Sequence, residues 1–137
     1  MIDLFSRYTL NLVEAFSQQG TPIDYIQIGN EINDGLLWPV GQISKQGYHP
    51  ASELLNSAAS GVRTGSPSTK IVVHIANGWD SGSVNTFWSD IFVAGAFSTS
   101  DVDILGFSFY PFYGTGATLN ALKSSLSNVV SKLNKVC

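Results

Sequence analysis

The segment "KIVVHIANGWDSGSVNTFWSDIFV", residues 70–93, contains the pattern that decides the fold. Its first part, "KIVVHIAN", is a short apolar run, which predicts a β-strand buried in a sheet. The turn "GWDSG" follows, and the apolar residues beyond it recur at helical spacing, with Ser83 as the expected N-cap. A strand, a loop and a helix in this order form one βα unit.

The same order occurs on both sides of this segment. Upstream, apolar residues predict a helix over residues 4–16, and "DYIQIGN" predicts a strand from Asp24. A long loop over residues 32–49 precedes a helix that we expect to begin at about Pro50. Downstream, "VDILGFSFYP" predicts a third strand, and Leu119 opens the apolar spacing of a last helix. Apolar strands separated by helices indicate a parallel sheet covered by helices.

Two architectures contain such units, an open doubly wound sheet and a closed eight-stranded barrel. The length of 137 residues favours the open sheet, since a barrel typically needs about 250. The loops favour the barrel, because the polar and aromatic residues follow the strands. Both folds place their sites at the carboxyl ends of strands, so position alone does not decide.

Composition restricts the class of protein. Apolar residues make up 44% of the chain and charged residues 12%, about half the usual charged share of roughly 25%, which indicates one domain with a densely packed core and a polar, uncharged surface. The net charge of -3 and the scattered positions of the seven Lys and Arg residues argue against a nucleic-acid partner, which would require a basic patch. No apolar run reaches the roughly 18 residues of a membrane span, and the N-terminal helix lacks a signal-peptide pattern. The single cysteine, Cys137, permits no internal disulfide, and the helical start of the chain leads us to expect a fragment.

Glu31 is the strongest candidate for chemistry. It follows the strand of "IQIGNEINDGLLWP", residues 26–39, where a carboxylate can act as a general acid, general base or nucleophile. The alternative is a helix cap or a surface charge, but no helix is predicted to begin there. Asn30 beside it can donate a hydrogen bond to a sugar hydroxyl.

Further candidates lie in the same loops. Aromatic rings suit the apolar faces of sugars, although each ring could equally seal the core. His74 lies inside a strand, where alternation decides whether it faces the site or the core, and we expect it to point toward Glu31. Phe87 and Trp88 have helical spacing and are predicted core residues. The candidate aromatic residues are Trp38, Trp79, Tyr110 and Tyr113.

Metal and nucleotide sites have little support in the sequence. His49 has no visible partner, and no cluster of His, Cys or carboxylate residues has metal-ligand spacing. "GTGATL", residues 114–119, contains only two of the three glycines of a dinucleotide loop and has no acidic partner about twenty residues later. Thr115 and Thr118 therefore indicate a turn with an N-cap, and we expect no metal and no cofactor.

The segments "IQIGNEINDGLLWP" and "ILGFSFYPFYGTGATLNALKSSL" resemble glycoside hydrolase family 53, the endo-β-1,4-galactanases that cut the galactan of pectic arabinogalactan. "HIANGWD" is similar to the fifth strand and loop of that family. Phe109 departs from the pattern, since relatives often have a second tyrosine there. The resemblance covers the whole chain. It implies that residues 1–137 form a partial (β/α)8 TIM barrel, which is an α/β fold. This part runs from the helix before strand four to the helix after strand six.

The resemblance implies retaining hydrolysis by two glutamates in a secreted enzyme. Glu31 matches the proton donor, and Asn30 matches its sugar-binding neighbour. The family nucleophile is a glutamate after strand seven, whereas this sequence has no Asp or Glu beyond Asp103. Asp34 and Asp80 are the other carboxylates near strand ends, and neither is expected to replace it. The chain alone is therefore predicted to be inactive.

Two other functions remain open from the sequence. A non-catalytic fragment could bind galactan through its aromatic residues, and a small doubly wound domain could bind a nucleotide. Titration with galacto-oligosaccharides and nucleotides separates these classes. We also expect exposed sheet edges and apolar surface to cause self-association.

Overall fold

The computed structural model describes residues 2–113 and 116–137. Five α-helices and five β-strands are assigned within these ranges. The helices are α1 (Ile2–Gln18), α2 (Ile43–Gln46), α3 (Tyr48–Gly65), α4 (Ser81–Val93) and α5 (Leu119–Leu133). The strands are β1 (Tyr25–Ile28), β2 (Gly35–Leu36), β3 (Gly41–Gln42), β4 (Lys70–Ile75) and β5 (Ile104–Phe107), and a 3-10 turn spans Thr99–Asp101.

The main sheet has the strand order β1–β4–β5, and both pairings are parallel. Tyr25 pairs with Lys70, and His74 pairs with Gly106. Val136 adds an isolated parallel bridge to Ile104 on the outer edge of β5. The three predicted strands therefore lie side by side with their carboxyl ends at one edge of the sheet.

Helices cover one face of this sheet. In β4 the side chains of Ile71, Val73 and Ile75 are fully buried, whereas Val72 and His74, which point the other way, are only partly buried. Alternation along a strand produces this difference between faces. A doubly wound sheet would have helices on both faces, so the burial pattern favours the barrel.

The core joins the helix-facing side of the sheet to the helices. Phe87 and Trp88 are 3% and 1% exposed, which confirms their predicted core positions. Helix α1 packs against α3 where Thr9 donates a hydrogen bond to the backbone oxygen of Ala58, 2.9 Å away. This packing is close because Gly61 has no side chain to separate the two helices.

Two predicted helix starts are wrong by a few residues. Helix α3 begins at Tyr48 rather than Pro50, because a proline is tolerated within the first turn, where backbone N–H groups have no intrahelical partner. Ser83 is not the N-cap of α4. Asp80 is the N-cap, and its carboxylate accepts hydrogen bonds from the Ser83 amide and hydroxyl.

Other local predictions have mixed outcomes. Thr118 is confirmed as the N-cap of α5, where its hydroxyl accepts from the Ala121 amide. Thr115 lies outside the described residues. The loop predicted over residues 32–49 contains the antiparallel pair β2–β3 and the short helix α2. These elements are too short to leave a periodic pattern in the sequence.

No helix among residues 2–113 and 116–137 combines the length and the hydropathy of a membrane span.

Candidate active site

The loop that carries Glu31 is fixed to the end of β4 by three hydrogen bonds. The Ile32 amide donates to the His74 carbonyl over 3.1 Å. The Asn33 side chain pairs with both backbone groups of Ala76, at 2.7 and 3.2 Å. Glu31 has a φ of 52° between these anchors and Gly29, a strained conformation for a residue other than glycine. The anchors therefore hold the Glu31 backbone in a position that it would not adopt freely.

Glu31 belongs to a continuous hydrogen-bonded chain of four side chains. The Ser108 hydroxyl is 2.5 Å from Oε1 of Glu31 and 3.0 Å from Nε2 of His74. Nδ1 of His74 lies 2.9 Å from Oδ1 of Asn30. These contacts connect the loops after β1 and β5 to His74 within β4, so three consecutive βα units contribute to one polar network.

The direction of His74 agrees with the sequence expectation. Its side chain lies on the face of β4 opposite the helices, together with Glu31. Gly106, its register partner on β5, makes room for it, since a Cβ at position 106 would be 3.1 Å from the Cβ of His74. The ring is therefore held between β1 and β5, with both nitrogens in hydrogen-bond contact.

Ser108 is the site residue that the sequence analysis missed. Its backbone joins β4 and β5 beyond their regular pairing, because its amide donates to the Ile75 carbonyl and its carbonyl accepts from the Gly78 amide, both at 3.0 Å. Gly106 pairs with His74, and residues two apart in a strand lie on the same face. Alternation therefore places Ser108 on the same face of the sheet as His74. A serine in an apolar strand is a weak signal by itself, and only the register across strands makes it informative.

The aromatic candidates form separate groups around this network. Trp38 is 59% exposed, and its indole N–H donates to the Asp34 carbonyl over 2.9 Å. Trp79 is half-buried against Gly116, where an added Cβ would meet its ring. Tyr110 and Tyr113 are exposed and stack edge-to-face with each other at 5.7 Å between ring centroids. The described contacts therefore bring together Asn30, Glu31 and His74, while the four aromatic residues lie on loops of the same end.

The other carboxylates near strand ends serve local structure. Asp34 accepts hydrogen bonds from the Ser44 amide at 2.6 Å and the Ser44 hydroxyl at 2.8 Å, and these bonds, the amide foremost, lower the pKa of Asp34. Hydrogen bonds from the Ser83 side chain and amide likewise lower the pKa of Asp80. Both carboxylates are held in the ionised form as loop or helix acceptors, and their described side-chain hydrogen bonds involve none of the four residues of the Glu31 network.

A polar cleft of about 520 Å³ lies beside the Asn33 anchor. Tyr48, Asp80 and Thr86 line it with hydrogen-bonding groups. Partial burial, followed by the charge of Asp90, raises the pKa of the Tyr48 phenol. Such a lining can bind polar molecules. Within residues 2–113 and 116–137, no group of three or more His, Cys, Asp or Glu side chains could hold a metal ion.

Comparison with known proteins identifies relatives with the same pattern. Residues 3–137 match the family model "Glycosyl hydrolase family 53". The chain is 42% identical over 130 residues to the arabinogalactan endo-beta-1,4-galactanase of Humicola insolens, and 40% identical over 130 residues to that of Aspergillus niger. Each alignment covers 93% of this chain, which spans 39% of the first relative and 37% of the second.

Solved structures agree with the fold. A structure from a study of two fungal beta-1,4-galactanases superimposes with a TM-score of 0.90 at 41% identity, covering 96% of this chain and 40% of the other. The Ignisphaera aggregans GH53 catalytic domain superimposes with a TM-score of 0.84 at 28% identity, covering 98% and 35%. This agreement and the one-sided helix layer confirm the predicted fold class, a partial (β/α)8 barrel. The chain belongs to glycosyl hydrolase family 53.

Proposed function

We propose that this chain is the proton-donor part of a retaining endo-β-1,4-galactanase that acts on the galactan of pectic arabinogalactan. The relatives named above support the reaction class, although the chain spans only 39% of the length of the first of them. The observation that supports this proposal most directly is the hydrogen-bonded network of Glu31, Ser108, His74 and Asn30 at the carboxyl ends of three parallel strands. In this proposal, residues 1–137 correspond to strands four to six of the barrel and their flanking helices.

Glu31 acts twice in the proposed mechanism. It first protonates the glycosidic oxygen as the leaving sugar departs, and its carboxylate then removes a proton from the water that hydrolyses the glycosyl-enzyme intermediate. Asn30 is proposed to contact a sugar hydroxyl next to the reacting carbon. Its Oδ1 already accepts from His74, so its amide N–H₂ is the group available to the sugar.

The covalent intermediate needs a second carboxylate about 5 to 5.5 Å from the first, on the opposite side of the bond. Asp34 and Asp80 are occupied by Ser44 and Ser83. No Asp or Glu follows Asp103 in the sequence. The nucleophile is therefore proposed to come from a glutamate outside these 137 residues, on a strand that follows α5. Val136, which already pairs with β5, marks the side on which that strand would add.

The exposed aromatic rings supply the proposed sugar-binding surface. Trp38, Tyr110 and Tyr113 present accessible faces, and Trp79 offers a partly buried one. Stacking on such rings suits the apolar face of galactose. The substrate class and the relatives support secretion as the proposed location. Binding of galactan without catalysis is the second candidate, and the same aromatic exposure favours it.

A reducing-sugar assay on β-1,4-galactan tests this function. The chain as given should show trace activity at most. Activity should appear when the chain is extended with a following segment that carries a glutamate, or when it is joined to the missing barrel strands of a relative. Glu31→Gln in the active form should then abolish turnover while galacto-oligosaccharide binding persists, because the amide preserves shape but cannot donate a proton to the leaving oxygen.

Three results would contradict the proposal. Robust turnover by the chain alone, abolished by Glu31→Gln, would reveal a second carboxylate within residues 1–137. Turnover of the active form that is unaffected by Glu31→Gln would remove Glu31 from the mechanism. Tight binding of nucleotides without any response to galacto-oligosaccharides would refute both candidate functions.

A further inference from the structure

The hydrogen-bond donors and acceptors around His74 determine where protons can reside. The Gln27 side-chain amide donates to the Gly29 carbonyl at 2.8 Å and to Oδ1 of Asn30 at 3.3 Å. Because a carbonyl can only accept, the Gln27 contact with Gly29 must use its N–H₂ group. That same nitrogen also faces Asn30, so the Asn30 atom that faces both Gln27 and His74 is the oxygen. Nδ1 of His74 must therefore carry a proton in order to donate to Asn30.

The other side of the ring leaves two consistent arrangements. In the first, Glu31 is protonated and donates to Ser108, the Ser108 hydroxyl donates to Nε2 of His74, and the imidazole is neutral. In the second, Glu31 is ionised and accepts from Ser108, and Nε2 of a positively charged His74 donates to the Ser108 oxygen. When one proton is shared between Glu31 and His74, any other position for it places two acceptors in contact at 2.5 to 3.0 Å.

We propose that Ser108 is a positioning residue that relays a single proton between Glu31 and His74. The exchange is balanced: the Glu31 carboxyl O–H bond breaks as a new O–H bond forms on Ser108, while the original Ser108 O–H bond breaks and Nε2 of His74 gains the proton. One proton leaves Glu31, one reaches His74, and Ser108 remains neutral. This inference rests on the proposed role of Glu31, and it adds a group that stores the proton beside the acid.

The relay has a direct use in a two-step hydrolysis. The acid form of Glu31 must be present when the leaving sugar departs, and the carboxylate must be present when water attacks. The first step sends the Glu31 proton to the leaving oxygen, so the second arrangement stores the proton on His74 before that step, and the relay returns it to Glu31 when the substrate is bound. The ion pairs among the described residues involve other side chains, and Glu31 is the ionisable group that His74 reaches in this network, through Ser108.

Nitrogen-15 NMR of the histidine rings tests the relay in the 137-residue chain. The chain has two histidines, and His49, which contacts Ala94 and Glu53, serves as the internal reference. Glu31→Gln mimics the protonated acid, because its amide N–H₂ can donate to Ser108. We expect His74 in this variant to be neutral, with a proton on Nδ1 and none on Nε2. At the pH where His74 of the wild type is half protonated, its protonated fraction should fall about tenfold, as expected for loss of one charge-assisted hydrogen bond.

A double-mutant comparison isolates Ser108. In the Ser108→Ala background, Glu31→Gln should change the protonated fraction of His74 less than about twofold, because the connecting hydroxyl is absent. Ser108→Thr retains a hydroxyl and should restore the full effect. Equal effects of Glu31→Gln in the serine and alanine backgrounds would overturn the proposal, since they would indicate interaction through space without a relay.

The test remains decisive if a variant is unstable or the chain associates. Unchanged His49 signals identify folded variants, and Ser108→Gly is a second form without a hydroxyl. Should neither hydroxyl-free variant fold, an Nε2–H tautomer of His74 in Glu31→Gln would by itself overturn the proposal, and the Nδ1–H tautomer would support it. Magic-angle-spinning spectra of sedimented protein report the same ring nitrogens in associated material. Because no galactan is used, failure of the relay and failure of the proposed galactanase function are separate outcomes.

Discussion

The Asp103 carboxylate connects three elements at the end of the sheet opposite Glu31, and its removal should have a measurable cost. Its Oδ2 accepts from the Arg63 guanidinium at 2.5 Å and from the Ile71 amide at 2.8 Å. Lys70 lies 3.5 Å from Oδ1. Burial raises the pKa of Asp103, but the bonds from Ile71 and Arg63 and the positive charges of Arg63 and Lys70 outweigh burial, so its pKa is lower than usual.

The expected cost of Asp103→Asn follows from these contacts. A hydrogen bond to a charged group contributes about 1.5–3 kcal/mol net. The side-chain oxygen of asparagine can accept from both the Ile71 amide and Arg63, which share Oδ2, but it carries no negative charge, and the N–H₂ group then replaces Oδ1 and faces Lys70, donor against donor. The Lys70 contact is more than half exposed on the lysine side and adds little. We therefore expect the free energy of unfolding to fall by about 1.5–3 kcal/mol at neutral pH.

The pH dependence provides the sharper test. A carboxylate whose folded pKa is lowered stabilises the fold above its unfolded pKa of about 3.9, and that stabilisation is lost as pH falls through the folded pKa. Protonated Asp103 resembles asparagine in charge. The difference between wild type and Asp103→Asn should thus be full at neutral pH and should shrink toward zero in strong acid.

Urea denaturation at several pH values measures this difference. Asp24→Asn is the matched control, because Asp24 is exposed and its carboxylate takes part in none of the ion pairs among the described residues. This control should change the free energy of unfolding by less than about 0.5 kcal/mol. A cost of Asp103→Asn that is equally large in strong acid, or no larger than that of Asp24→Asn, would refute the assignment of Asp103 as an ionised clamp.

Two further predictions concern packing and association. Gly61→Ala should lower the free energy of unfolding by about 1–3 kcal/mol in urea titrations, because the new Cβ would overlap the Ser6 carbonyl oxygen and must displace α1. Gly82→Ala is the control and should cause no such loss, because its Cβ would make only an ordinary contact at 3.4 Å. The chain should self-associate in sedimentation velocity through the edge strand β1 and the apolar side chains of α1, where Leu4 is 66% and Tyr8 63% exposed. Tyr25→Lys should weaken association by placing a charge on that edge, and a stable monomer at every concentration would contradict the prediction.

The sequence by itself determined the order of elements and the position of Glu31. Apolar periodicity identified α1, the three main strands and the buried faces of α3, α4 and α5, because burial requires a period of 2 or 3.6 residues wherever an element packs against the core. The segment "IQIGNEINDGLLWP" placed Glu31 and Asn30 at a strand end, since side chains there fall at the edge of a parallel sheet in either architecture. Alternation left two directions for His74, and the structure has the one we expected, toward Glu31.

Only the tertiary structure decided which polar groups meet. Ser108 joins the site because β4 and β5 pair in a register that sets His74 opposite Gly106, and register between distant segments leaves no local signature. Asp80 replaces Ser83 as the N-cap because the loop after β4 turns in a way that brings its carboxylate onto the Ser83 amide. The Asn33 anchor on Ala76 likewise joins residues 43 positions apart. Hydrogen bonds of this kind depend on the packing of whole βα units, which is set by long-range contacts and not by the period of any single segment.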